Sequence, residues 1–193
     1  MSKKVGKYIL EEKLNRGTYG VCYKARDDKG NKYAIKRIEI DGKDDIVNIK
    51  NEINVLKTMK SKYSVEFIEC IEKEDYYYIV MELCDGDLNY LLKEKNGNID
   101  ILTIIKIISQ LNEAFKLMHK NNIEHRDLKP GNILIKYINE NDFDIKLTDY
   151  GLAKSYQSNS DFTSIVGASY YCAPEVLRKK GNSIKNKKII INH

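Results

Sequence analysis

At Leu83 the spacing of apolar residues changes character, and that change restricts the chain to a small set of folds. Before it, β-branched and aromatic residues crowd five segments, 8–14, 21–26, 32–38, 65–72 and 76–83, separated by Gly, Asp and Asn. Such runs read as strands, and their short connections favour a mostly antiparallel sheet. One segment differs: Ile46, Ile49, Ile53 and Leu56 recur at steps of three, four and three, the stripe of a helix that can lie across the sheet. After Leu83, Ile101, Ile104, Ile105, Ile108, Leu111, Phe115 and Met118 predict a helix of about twenty residues with a core-facing stripe. Two short strands follow, 133–135 and 145–147, flanking a loop at 139–144, and then polar, Ser-rich chain from Ser155 to Ser164. The expectation is an α+β chain with a sheet-rich lobe over 1–83 and a helical lobe after it, without internal repeats.

Charge and cysteine content narrow the function classes. The net charge is +5, but residues 178–193 hold six of the 33 Lys/Arg and no acid, so 27 bases face 28 acids elsewhere. The basic excess is a tail, which argues against a nucleic-acid-binding face on the folded part. Cys22, Cys70, Cys84 and Cys172 lie far apart with no C-x-x-C pair, so spacing suggests neither a zinc site nor a disulfide framework. With 42% hydrophobic residues the chain can bury a core. No run reaches the roughly 18 apolar residues of a membrane span, and the start lacks a signal-peptide segment, so no membrane partner and a cytoplasmic or nuclear location are expected.

Five patterns carry chemistry, and their joint order gives them weight. Leu14-Asn15-Arg16-Gly17-Thr18-Tyr19-Gly20-Val21-Cys22 is a glycine-containing turn between two strands, where backbone N–H groups can approach phosphate oxygens. A strand follows the turn, which excludes the dinucleotide fold, where a helix would follow. Tyr33-Ala34-Ile35-Lys36 ends a strand on a lysine, and Glu52, sixteen residues on, can pair with it from the helix. His125-Arg126-Asp127-Leu128-Lys129-Pro130-Gly131-Asn132 sets an aspartate to accept a hydroxyl proton, a lysine to neutralise a transferring phosphoryl group and an asparagine to offer an oxygen to magnesium. Asp149-Tyr150-Gly151 supplies a second magnesium ligand, and Ala173-Pro174-Glu175 closes the segment that begins there.

Through about Arg178, this set resembles the eukaryotic Ser/Thr protein kinase family. The resemblance implies a bilobal kinase-like fold, with an antiparallel-sheet N-lobe carrying one helix (1–83), a partial, incomplete helical C-lobe (84–177) and a basic tail (178–193). It implies transfer of the ATP γ-phosphate to protein Ser or Thr hydroxyls, with ATP and Mg as cofactors and a protein as substrate. Asp127 would be the base, with Lys129 and Asn132 beside it, and Asn132 and Asp149 would hold Mg. ATP would meet Leu14, Gly17, Gly20, Cys22, Ala34, Lys36, Glu52, Met81, Glu82, Cys84, Asp87 and Asp149, with Met81 as the gatekeeper and Glu82 and Cys84 offering backbone groups to adenine. Lys129 after Asp127-Leu128 looks like the Ser/Thr branch.

The chain departs from the family pattern at Asn15, where a glycine is usual, at Cys22 for valine, at Tyr150 for phenylalanine and at Ala168 for threonine. Thr163 and Ser164 are candidate phosphosites, whose phosphate could pair with Arg126. The chain stops eighteen residues after Glu175, where family members continue, so the expectation includes an alternative: a truncated, weak or inactive nucleotide-binding or interaction module.

Overall fold

The computed structural model describes residues 3–17 and 20–155. Its first lobe is a six-stranded antiparallel sheet in the order β1-β2-β3-β4-β6-β5, built from β1 (Lys4–Val5), β2 (Tyr8–Gly17), β3 (Gly20–Arg26), β4 (Lys32–Glu39), β5 (Phe67–Lys73) and β6 (Tyr76–Glu82). Successive side chains on a strand point to opposite faces, and β6 shows the consequence. Tyr78 and Val80 pack with Val5, Tyr8, Leu10 and Ile35 on one face, while Tyr77, Ile79 and Met81 join the larger core on the other. Against that second face lies α1 (Lys43–Thr58), which buries Ile49, Ile53, Val55 and Leu56 and half-buries Ile46, as its spacing predicts.

The second lobe begins with β7 (Gly86–Asp87) and α2 (Leu88–Glu94), followed by α3 (Ile101–Lys120), β8 (Ile123–Glu124), β9 (Ile133–Asn139), β10 (Asp142–Leu147) and β11 (Lys154–Ser155). Asp87 caps α2 by accepting the Tyr90 N–H at 2.8 Å, and Asp100 caps α3 by accepting the Thr103 N–H at 2.9 Å. β7 pairs with β9, and β9 with β10, so the chain leaving the first lobe is tied at once to the hairpin that carries the later motifs. The expected loop at 139–144 shrinks to Glu140 and Asn141, because β9 runs on to Asn139 and β10 starts at Asp142.

The expected core-facing stripe of α3 needs correction. Ile107, Gln110, Ala114 and Met118 are the buried positions, with Leu111 and Phe115 half-buried, whereas Ile101, Ile104, Ile105 and Ile108 stand exposed, Ile105 at 55% and Ile108 at 60%. This helix is apolar on more than one side, so periodicity alone could not choose its inner face. A polar contact identifies it: Gln110 donates to Asp144 at 3.0 Å and accepts the Ile145 N–H at 2.8 Å, turning its own face onto β10. The loop between α1 and β5 joins the lobes from the other side, with Leu147 N–H donating to Tyr63 O and Val65 N–H to Leu147 O. No helix among the described residues is long and apolar enough to cross a membrane.

Candidate active site

Register places the site on one face of the sheet. In the β3–β4 ladder Cys22 stands opposite Lys36, and in the β4–β6 ladder Ala34 stands opposite Met81. These four residues share the face that borders a cleft between the lobes, about 340 Å³ in volume. Leu14, Gly17, Gly20, Cys22, Ala34, Lys36, Glu52, Met81, Glu82, Cys84, Asp87, Asn132 and Asp149 all line it. The two glycines differ in kind. A Cβ at Gly20, where φ is +142°, would sit 2.3 Å from the Arg37 carbonyl oxygen, so packing of the sheet excludes a side chain there. A Cβ at Gly17 would meet nothing within 4 Å among the described residues, so the space beside it is free for an approaching group.

Lys36 holds the centre of this cleft. Its Nζ lies 2.7 Å from Glu52 Oε1 on α1 and 2.8 Å from Asp149 Oδ1 at the end of β10. Burial works against its charge, but the two carboxylates outweigh that and keep its pKa raised. Burial also pushes the Glu52 carboxyl up, even with Lys36 beside it. For Asp149 burial pulls the same way, yet the adjacent Lys36 ammonium wins and holds the carboxyl below its usual range. The arrangement is a buried cation between two carboxylates that both line the cleft, Asp149 being the more exposed of the two.

The lower wall is the loop before β9. Asp127, 7% exposed, accepts a hydrogen bond from Lys129 Nζ at 2.6 Å, and the Asn132 amide donates to the Asp127 carbonyl at 2.8 Å and to its carboxylate at 3.1 Å. With its nitrogen so committed, Asn132 has its Oδ1 as the atom able to meet a cation. His125 is buried, its Nε2 2.9 Å from Thr148 O, and burial lowers its pKa so that the ring stays neutral. Thr148 N–H in turn donates to Asn132 O at 3.0 Å, joining the loop to the segment that carries Asp149.

The donor set suits a hard divalent cation. Asp149 and Asn132 offer oxygen atoms, and magnesium keeps most of its shell as water and phosphate oxygens, needing one or two ligands from the protein. Among the described residues no group of three or more His, Cys, Asp or Glu is placed to hold a metal by itself. An ion here would therefore arrive with phosphates as co-ligands.

Several cleft residues were not named as ATP contacts from the sequence: Asn15 and Gly131, quoted there only within their motifs, and Val65, Leu83, Asp85, Gly86, Tyr90, Leu134 and Thr148 also line it. Leu134 lies in the apolar run 133–135, half-buried on the face opposite the buried Ile133 and Ile135, while Val65 and Tyr90 arrive through tertiary packing. Two expected contacts are partly spent elsewhere: Asp87 caps α2, and the Glu82 side chain accepts from Lys146 and from the Glu66 N–H, each at 2.9 Å, while its own N–H donates to Glu66 O. Thr163, Ser164, Ala168, the Ala173-Pro174-Glu175 motif and the basic tail lie outside the described residues.

Comparison with known sequences agrees with this geometry. The pattern of the protein kinase domain matches residues 8–188. The chain is 38% identical over 170 residues to the probable serine/threonine-protein kinase zyg-1 of Caenorhabditis elegans, covering 88% of this chain and 24% of that protein. It is likewise 38% identical to calcium-dependent protein kinase 5 of Plasmodium falciparum, over 87% of this chain and 30% of the relative. Calcium-dependent protein kinase 29 of Arabidopsis thaliana is 34% identical over 89% of this chain and 33% of its own length. The chain thus spans a quarter to a third of these curated relatives.

Proposed function

Because the chain belongs to the protein kinase domain family, we propose that it transfers the γ-phosphoryl group of ATP, in complex with magnesium, to Ser or Thr hydroxyls of a protein substrate. The observation that carries this reading is that Asn132 lines one cleft with the Lys36–Glu52–Asp149 cluster, while Asp127 and Lys129, which do not line it, are joined to it through the hydrogen bond of Asn132 to Asp127. Magnesium, when bound, neutralises phosphate charge and fixes the geometry of the phosphates.

This chain's own residues do the remainder. Lys36, held by Glu52, meets the α- and β-phosphates, and the free space beside Gly17 lets the nucleotide come close. Asp127 accepts the proton of the substrate hydroxyl as its oxygen bonds to the γ-phosphorus and the bond to the ADP oxygen breaks. Lys129, already bound to Asp127, balances charge on the transferring group. Positioning supplies most of the rate, so the hydrogen bonds that fix Asn132 against Asp127 belong to the mechanism. The preference for Ser and Thr rests on Lys129 and on the serine/threonine-protein kinase name of the zyg-1 relatives.

The test is incubation with γ-labelled ATP, magnesium and matched peptides carrying Ser, Thr or Tyr. Label on Ser and Thr peptides, dependent on Lys36, is the expected result. Label confined to Tyr, or transfer undiminished in Lys36→Met, contradicts the proposal.

A further inference from the structure

Tyr150 is wholly buried, and its ring packs on His125 with centroids 5.1 Å apart. A phenylalanine would make that contact equally well, so the hydroxyl calls for its own account. Its Oη donates to Ser64 Oγ at 3.2 Å and lies 3.5 Å from Leu147 O. Ser64, 1% exposed, sits in the loop between α1 and β5 and is itself fixed, its N–H donating to Ser61 O and its backbone bridging Leu147. Tyr150 is thus tethered to a rigid point on the first lobe.

The tether acts next to a strained residue. Asp149, which immediately precedes Tyr150, has φ 63° and ψ 65°, the left-handed region that side-chain-bearing residues avoid. A backbone in that region persists only where its neighbours over-determine it. On the far side Asn51 Nδ2 donates to Ala153 O at 2.8 Å, and before it Thr148 N–H is held by Asn132 O. Lys36 Nζ holds the Asp149 carboxylate directly, and the Tyr150 side chain restrains the residue that follows it, as Thr148 N–H restrains the one before.

We propose that Tyr150 is a positioning residue whose hydrogen bond to Ser64 holds the Asp149 carboxylate in the cleft beside Lys36, so that the α1–β5 loop sets the affinity for metal-bound nucleotide. The proposal rests on the reading of the cleft as a Mg-ATP site.

The test compares Tyr150→Phe, Ser64→Ala and the double variant in the full chain with two independent readouts. The first is affinity for Mg-ATP beside affinity for adenosine, which cannot reach Asp149 through a metal. Each single variant should bind Mg-ATP about fivefold more weakly, the size expected of one neutral hydrogen bond, with adenosine affinity unchanged and the double variant no weaker than either single. The second is amide hydrogen exchange over residues 149–153 without nucleotide, which should quicken by about the same factor in both single variants. Wild-type exchange in Tyr150→Phe, or equal losses for adenosine and Mg-ATP, would overturn the proposal. If the wild type binds no nucleotide, the functional reading fails and the exchange rates alone decide whether the tether positions Asp149.

Discussion

Lys36 shows how much one side chain can organise. It bridges a helix, a sheet and the end of β10 through Glu52 and Asp149, and both contacts are shorter than 3 Å. Breaking a buried pair by removing one partner costs about 3–5 kcal/mol, because the other charge stays buried. Lys36→Met should therefore lower stability by about 3 kcal/mol, read as a fall in the urea midpoint, while Glu52→Gln, which keeps a hydrogen-bonding group, costs less. An unchanged midpoint in Lys36→Met would mean that the cluster contributes nothing to the fold. His125 gives a pH signature of opposite origin. Burial depresses its pKa below the ordinary 6.5, so the unfolded chain takes up a proton first as pH falls. Stability is undiminished above about 6.5 and declines below it, by up to about 1.4 kcal/mol per pH unit until the folded-state pKa is reached. The urea midpoint should fall between pH 7 and pH 5.5 more steeply for the wild type than for His125→Gln. Asp149 adds nothing in that window, since a depressed carboxylate loses its contribution only as pH falls below 3.8. These residues were legible as a set because catalytic chemistry fixes their types and spacing. The Tyr150–Ser64 contact was not, since it joins positions 86 residues apart and depends on how a loop packs.

Among the elements, α1 was legible and the inner face of α3 was not, for a physical reason. On α1 the residues between the isoleucines are mostly polar, so one apolar stripe exists and must be the buried one. On α3 isoleucine and leucine occur all round the first turns, and the buried face is marked instead by Gln110, a polar residue that burial would penalise without Asp144 and Ile145 as partners. Substitutions separate the two faces. Ile107→Ala, at a 6% exposed position, should cost about 2–4 kcal/mol by thermal or urea unfolding. Ile105→Lys should stay within about 0.5 kcal/mol of wild type, as at ordinary surface sites. Reversal of that order would restore the stripe that periodicity suggests. The antiparallel sheet followed from the short connections, whereas the register did not show in the sequence; a one-residue slip would carry Cys22, Ala34 and Lys36 off the cleft face.

Across the whole molecule, the described residues of the two lobes meet at several places around the cleft, among them the β6–β7 connection, the α1–β5 loop on Leu147 and Tyr150, the Lys36 cluster, and the Asn51–Ala153 and Lys146–Glu82 contacts. The order of the first four motifs foretold that architecture, because each falls at or beside the end of a described element that reaches the gap. The volume of the cleft and the residues that close its mouth, Tyr90 over Gly86 among them, come from packing that no local pattern encodes. The central claim is that the cleft binds Mg-ATP through one group of residues and activates a hydroxyl through another. Asp127→Asn separates the two, since Asp127 faces Lys129 and Asn132, while the phosphate-binding role falls to Lys36. Mg-ATP affinity and phosphoryl transfer to a Ser/Thr peptide should be measured side by side on this variant and the wild type. The account predicts transfer reduced by a factor of about 10² to 10⁴ with Mg-ATP affinity held within about twofold. Undiminished transfer by the Asp127→Asn protein would contradict it.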